Sequence, residues 1–97
     1  MFAISFDMVV ADLKANYGEP YNNAYFEISN ILEQFGFYRV QGNVYMSKEG
    51  NMLNLTMAMN ALRATPWFRD SVRDIRAFRV EDWSDFTAFF KDIPLDK

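Results

Sequence analysis

Asp7 interrupts the apolar N-terminal run FAISFDMVV, and Asp74 sits between arginines in VRDIRAFR. A carboxylate inside a buried strand is unfavourable unless something satisfies it, so Asp7 is the sharpest anomaly in the chain. Two carboxylates on one surface can bind a divalent cation, hold a water, or share a proton with one raised pKa. Magnesium suits a site of few carboxylates completed by substrate phosphates. The plainer alternative is that Asp7 and Asp74 only pair with Arg73, Arg76 or Arg79, because structural ion-pair networks outnumber sites.

Other chemistry is narrowed by what is missing. The 97 residues contain no cysteine and no histidine. Disulfide scaffolds, thiolate metal sites, cysteine nucleophiles, serine triads and histidine-based RNA cleavage are therefore excluded. Catalysis would have to run on carboxylates, hydroxyls, amides, lysines, arginines or a borrowed metal ion. The formal charge of −3 argues against nucleic-acid binding by bulk basicity. Locally the balance differs: from Arg63 to Arg79 five arginines face two aspartates, an excess of +3. Arginine grips phosphate bidentately and stacks on bases, and Trp67, Phe68 and Phe78 are interleaved with it. The pattern fits a single-stranded RNA track, and it equally fits an edge strand guarded by charge.

These side chains must be held by something. With 51% apolar and 18% aromatic residues the chain is one folded domain, 1–97, able to build a core without staples. The N-terminal run lacks a basic start and is too short to span a bilayer, so a soluble cytoplasmic protein with no membrane partner is expected. Phe2 to Val10 reads as a strand and 11–19 as a loop. Apolar spacing predicts a helix from Pro20 to Phe35, stopped by Gly36. Two short strands, Phe37–Gln41 and Asn43–Met46, flank Gly42. A second helix is predicted over Asn51–Ala64, with Pro66 ending it and Trp67–Ser71 ambiguous. Val72–Val80 reads as the last strand, and Ser84 as the cap of a short closing helix with Phe86, Phe89 and Phe90. The order is an α+β, ferredoxin-like βαββαβ plan: a four-stranded antiparallel sheet with helices on one face and the first strand central.

Alternation along the strands then assigns faces. Phe2, Ile4, Phe6 and Met8 take the helix side, leaving Ala3, Ser5 and Asp7 on the open face. Val44 and Met46 read as core, which sends Asn43 and Tyr45 to the open face. Asp74, Arg76 and Phe78 join them if Ile75 and Ala77 take the helix side; the opposite parity, with Phe78 and Val80 in the core, suits the pattern equally well. An open face with small and apolar residues usually finds a partner, and a second copy of the chain is the expected one.

Four stretches in register resemble the virulence-associated protein D (VapD) family of bacteria: FAISFD at 2–7, YGEPYNNAY at 17–25, FGFYRVQGNVY at 35–45 and SVRDIRAFRVEDWSDFT at 71–87. The resemblance implies a ferredoxin-like homodimer, fold-related to the CRISPR-associated Cas-two endoribonucleases. It also implies endoribonuclease activity with a purine preference, in a toxin–antitoxin or virulence setting with a small antitoxin protein as partner. Asp7 matches the aspartate that ends the first strand near the dimer axis, where two copies can flank a metal such as Mg2+. Asp74 matches the aspartate of the arginine–aspartate–isoleucine–arginine motif. Asn43 stands where the family carries a serine. Asparagine can hydrogen-bond a phosphate or ribose but does not relay a proton as a hydroxyl does.

The expected catalytic set is therefore Asp7, Asp74 and Asn43, with Asp7 as metal ligand and Arg73, Arg76, Arg79 and Tyr45 binding substrate. Two mechanisms remain open: a metal-activated water, or a carboxylate acting as general base on the ribose 2′-hydroxyl while arginines stabilise the phosphorane. The alternative from a different class is a non-catalytic homodimer that binds nucleic acid or protein as a scaffold. A small-ligand regulatory domain has no support, because the glycines are isolated turn residues and form no phosphate loop.

Overall fold

The computed structural model describes residues 1–91. Its elements are β1 (Phe2–Met8), α1 (Val10–Tyr17), α2 (Asn23–Glu33), β2 (Tyr38–Gln41), β3 (Val44–Ser47), α3 (Met52–Arg63), α4 (Pro66–Arg69), β4 (Val72–Arg79) and α5 (Thr87–Phe90). The sheet order is β2-β3-β1-β4 with all pairs antiparallel, which is the ferredoxin-like arrangement with β1 in the centre. Among the described residues no helix is long and apolar enough to cross a membrane.

The core forms where the two periodicities meet. Phe2, Ile4, Phe6 and Met8 point to one side of β1. Onto them pack Ala24, Ile28 and Leu32 of α2, and Leu55, Ala58 and Leu62 of α3. The chain leaves α2 through Gly36, whose φ of 82° suits glycine, and returns as β2. Asn51 caps α3, its side-chain oxygen accepting from the Leu53 amide at 2.8 Å.

Three expectations are corrected here. The stretch 11–19 is mostly helix rather than loop: α1 follows β1 directly and buries only Leu13. One anchor leaves no apolar stripe for periodicity to detect. Helix α2 starts at Asn23, not Pro20, which lies in the preceding turn behind a cis Glu19–Pro20 peptide. The closing helix is a single turn in which Asp85, not Ser84, accepts the Thr87 amide at 2.8 Å. The ambiguous stretch resolves as the one-turn α4, with Phe68 driven edge-on against Phe6 at 5.5 Å.

The second face of the sheet is only partly open. Ala3 pairs with Met46 on one side and Phe78 on the other. Residues 83–91 lie along this end and enclose with it a groove of about 700 Å³. Ala3 and Met46 are buried as a result, whereas Asp7 at the far end of the strand is exposed.

Candidate active site

Asp7 and Asp74 are direct cross-strand partners on β1 and β4. Side chains so paired have Cβ atoms about 4.5–5.5 Å apart, and like charges directly opposite are destabilising. Each carboxylate is held by its own arginine. Arg73 Nη1 lies 3.6 Å from Asp7 Oδ2, and Arg76 Nε donates to Asp74 Oδ2 at 3.0 Å and to Oδ1 at 3.3 Å. All four side chains are at least half exposed. Exposed pairs of this kind contribute about 0–1 kcal/mol, so a phosphate can take the arginines from the carboxylates without dismantling the fold. The anomaly that singled out Asp7 is thus resolved by position: it stands at the solvent-exposed end of β1 and is not desolvated.

The β4 assignment holds in register. Asp74, Arg76 and Phe78 face the row of Asp7, Ser5 and Ala3, while Ile75 and Ala77 oppose Phe6 and Ile4. The β3 assignment is inverted. Tyr45 pairs with Ile4, is 2% exposed and stacks on Phe6 with ring centroids 6.1 Å apart, while Val44 and Met46 take the other face. The Tyr45 hydroxyl hydrogen-bonds that of Ser29 on α2. A tyrosine with a satisfied tip is a core residue, so Tyr45 is removed from the substrate-binding set.

Two further residues lie off the carboxylate row. Asn43 is in the β2–β3 turn, where its carbonyl accepts from the Phe6 amide at 3.1 Å, one step from Asp7. Arg79 pairs with Phe2 at the opposite end of β4, its guanidinium 5.0 Å from the Phe2 ring centroid. The interleaved aromatic track also dissolves. Phe68 is in the core, and Trp67 packs edge-on against Tyr17 at 4.9 Å. What the fold gathers from the expected set is Asp7, Asp74, Arg73 and Arg76.

Two supports were not found by pattern. Tyr25, on the first turn of α2, has its phenol pushed above the ordinary value of 10.0 by burial first, then by Tyr21 and by the nearby Asp7 carboxylate. Asn16, in the last turn of α1, donates its amide to the Asp70 carbonyl at 3.2 Å and to Ser71 Oγ at 3.0 Å, at the entrance to β4. The only sequence signal for Tyr25 is its place in the YGEPYNNAY stretch; Asn16 had none.

Among the described residues no three acidic side chains come together as a metal cage. Asp7 and Asp74 supply two, a donor set that fits magnesium carrying water and substrate phosphates rather than a closed protein site.

No family model matches the chain. Individual relatives do. It is 58% identical over 84 residues to endoribonuclease VapD 1 of Riemerella anatipestifer, covering 87% of this chain and 94% of that protein. It is 54% identical over 91 residues to endoribonuclease VapD of Dichelobacter nodosus, covering 94% and 98% of the two chains. With endoribonuclease VapD of Haemophilus influenzae it shares 47% over 92 residues, covering 95% and 100%.

Proposed function

The chain belongs to the VapD family, and on that footing we propose that it is an endoribonuclease cleaving RNA phosphodiester bonds at the Asp7–Asp74 end of the sheet. The observation that carries the reading is the cross-strand carboxylate pair with an arginine on each member. Arg73 and Arg76 exchange their carboxylates for a backbone phosphate and stabilise the negative charge that builds on it in the transition state. That exchange frees Asp7 to take the proton of the adjacent ribose 2′-hydroxyl as its oxygen bonds to phosphorus; the P–O5′ bond breaks, the leaving 5′-oxygen takes a proton from water, and Asp74 holds Arg76 in place between turnovers.

Asp7 and Asp74 are also the residues that would hold Mg2+, which when bound supplies charge neutralisation and a more acidic water. The site is completed by a homodimer formed on the open half of the sheet, from Ser5 to Asp7, because residues 83–91 already occupy the Ala3 half. The family resemblance supports a purine preference and a toxin-like role countered by a small antitoxin protein.

The test is cleavage of a structured RNA by parent protein and by Asp7→Asn, each in magnesium and in EDTA, with end-group analysis of the products. Activity lost in the variant while it stays folded is the expected result. A 2′,3′-cyclic phosphate identifies 2′-hydroxyl attack; its absence, with dependence on magnesium, identifies water attack. Equal cleavage by both proteins overturns the assignment of Asp7, and no cleavage by either favours the scaffold.

A further inference from the structure

Arg73 reaches Asp7 only because β4 slips by one residue. From Phe2↔Arg79 to Asp7↔Asp74 the β1–β4 ladder advances one residue per step. The next step would set Arg73 opposite Met8, on the face where Met8 is buried in the core. Instead Met8 opposes Val72, Arg73 is the additional residue, and the ladder continues in the new register through the Val9 amide donating to the Ser71 carbonyl at 2.9 Å. Val72 packs against the core and the guanidinium is turned out to Asp7. Bulges that re-aim a side chain in this way are common beside active sites.

The new register needs the chain held where β4 begins. Ser71 is 1% exposed, and its hydroxyl accepts from the Asn16 amide, which also donates to the adjoining Asp70 carbonyl. Asn16 belongs to α1, which starts two residues after β1 ends. The clamp therefore ties the entrance of β4 to the element that continues the strand carrying Asp7. The exposed 3.6 Å contact between Arg73 and Asp7 is too weak to select the register itself.

We propose that Asn16 is a positioning residue for the active site: by holding the Asp70–Ser71 turn it sets the one-residue slip that aims Arg73 at the substrate phosphate. The inference rests on the reading above that Arg73 binds phosphate.

The probe is a labelled single-stranded 2′-O-methyl RNA in EDTA, its affinity measured across salt concentrations for Arg73→Gln, Asn16→Ala, their double variant and Ser71→Ala. Arg73→Gln is expected to weaken binding about tenfold. It should also reduce the slope of log affinity against log salt by about 0.7. Asn16→Ala should reproduce most of both changes, Ser71→Ala a part of them, and the double variant should bind no more weakly than Arg73→Gln alone. A stability role alone leaves the salt slope at the parent value. Parent-like binding by Asn16→Ala, or losses that add in the double variant, overturns the assignment. If Asn16→Ala does not fold, Ser71→Ala with a parent salt slope overturns it as well. Parent-like binding by Arg73→Gln overturns the phosphate reading itself, and this inference with it.

Discussion

Side-chain chemistry here is a matter of which groups are left weakly held. Among the described residues, Asp7 and Asp74 oppose each other with one exposed arginine apiece. Neutralising one of two facing like charges removes a repulsion, so Asp7→Asn should leave thermal stability within about 0.5 kcal/mol of the parent while abolishing cleavage. A melting curve beside the activity assay separates those effects. Tyr45 behaves in the opposite way. Tyr45→Phe loses the hydroxyl contact with Ser29 and leaves that serine unpaired, which should lower stability by about 1 kcal/mol in chemical denaturation with cleavage retained.

A pH dependence belongs to Tyr25. Its phenol is held protonated above the ordinary 10.0 by burial, Tyr21 and Asp7. The folded state therefore binds that proton more tightly than the unfolded chain. This contribution to stability is complete below pH 10 and lost as pH rises through the raised value. Stability of the parent should fall on the alkaline side, and Tyr25→Phe should show a smaller fall over the same range.

At the scale of elements, the least conspicuous one positions the most. Helix α1 carries little amphipathic pattern and is fastened by Leu13, which is fully buried in the core. Leu13→Ala should cost about 2–5 kcal/mol, and because α1 bears Asn16 it should depress RNA cleavage in the molecules that remain folded. Gly36 illustrates a different constraint. An added Cβ would meet only Ser47 Oγ at 3.9 Å, so there is room, but its φ of 82° lies where side chains are unfavourable. Gly36→Ala is expected to lose about 1–2 kcal/mol from backbone strain alone, visible as a lower denaturation midpoint with unchanged activity per folded molecule.

For the whole molecule, the C-terminal segment decides what surface remains. The radius of gyration is 15.3 Å, against about 13 Å for a globule of this length, and Phe86, Phe89 and Phe90 are largely exposed. Glu81, Asp82 and Asp85 lie in the stretch that follows the Arg79 end of β4, the end paired with Phe2 rather than Asp7, so the net −3 is unevenly spread relative to the proposed phosphate site. Light scattering should give a mass near twice 11.4 kDa. A monomer across micromolar concentrations would remove the second copy from the proposed site.

Much of this was legible in one dimension. The βαββαβ order, the central first strand and the helix-side set Phe2, Ile4, Phe6 and Met8 follow from period-2 and 3.6-residue patterns, and these are imposed by the backbone itself. Asp7 and Asp74 stood out because a charge in an apolar or basic run breaks such a pattern. The face of Tyr45 did not follow, since β3 has four residues and an aromatic hydroxyl is at home on either side until a partner such as Ser29 is known. Tertiary structure alone decided that Arg79 stands apart from Arg73 and Arg76, and that Asn16 meets Ser71 across a sequence separation of 55 residues. Local patterns encode which side of an element is apolar. Where a ladder slips by one residue, and which distant amide holds the slip, is settled only when the packed elements compete for the same space.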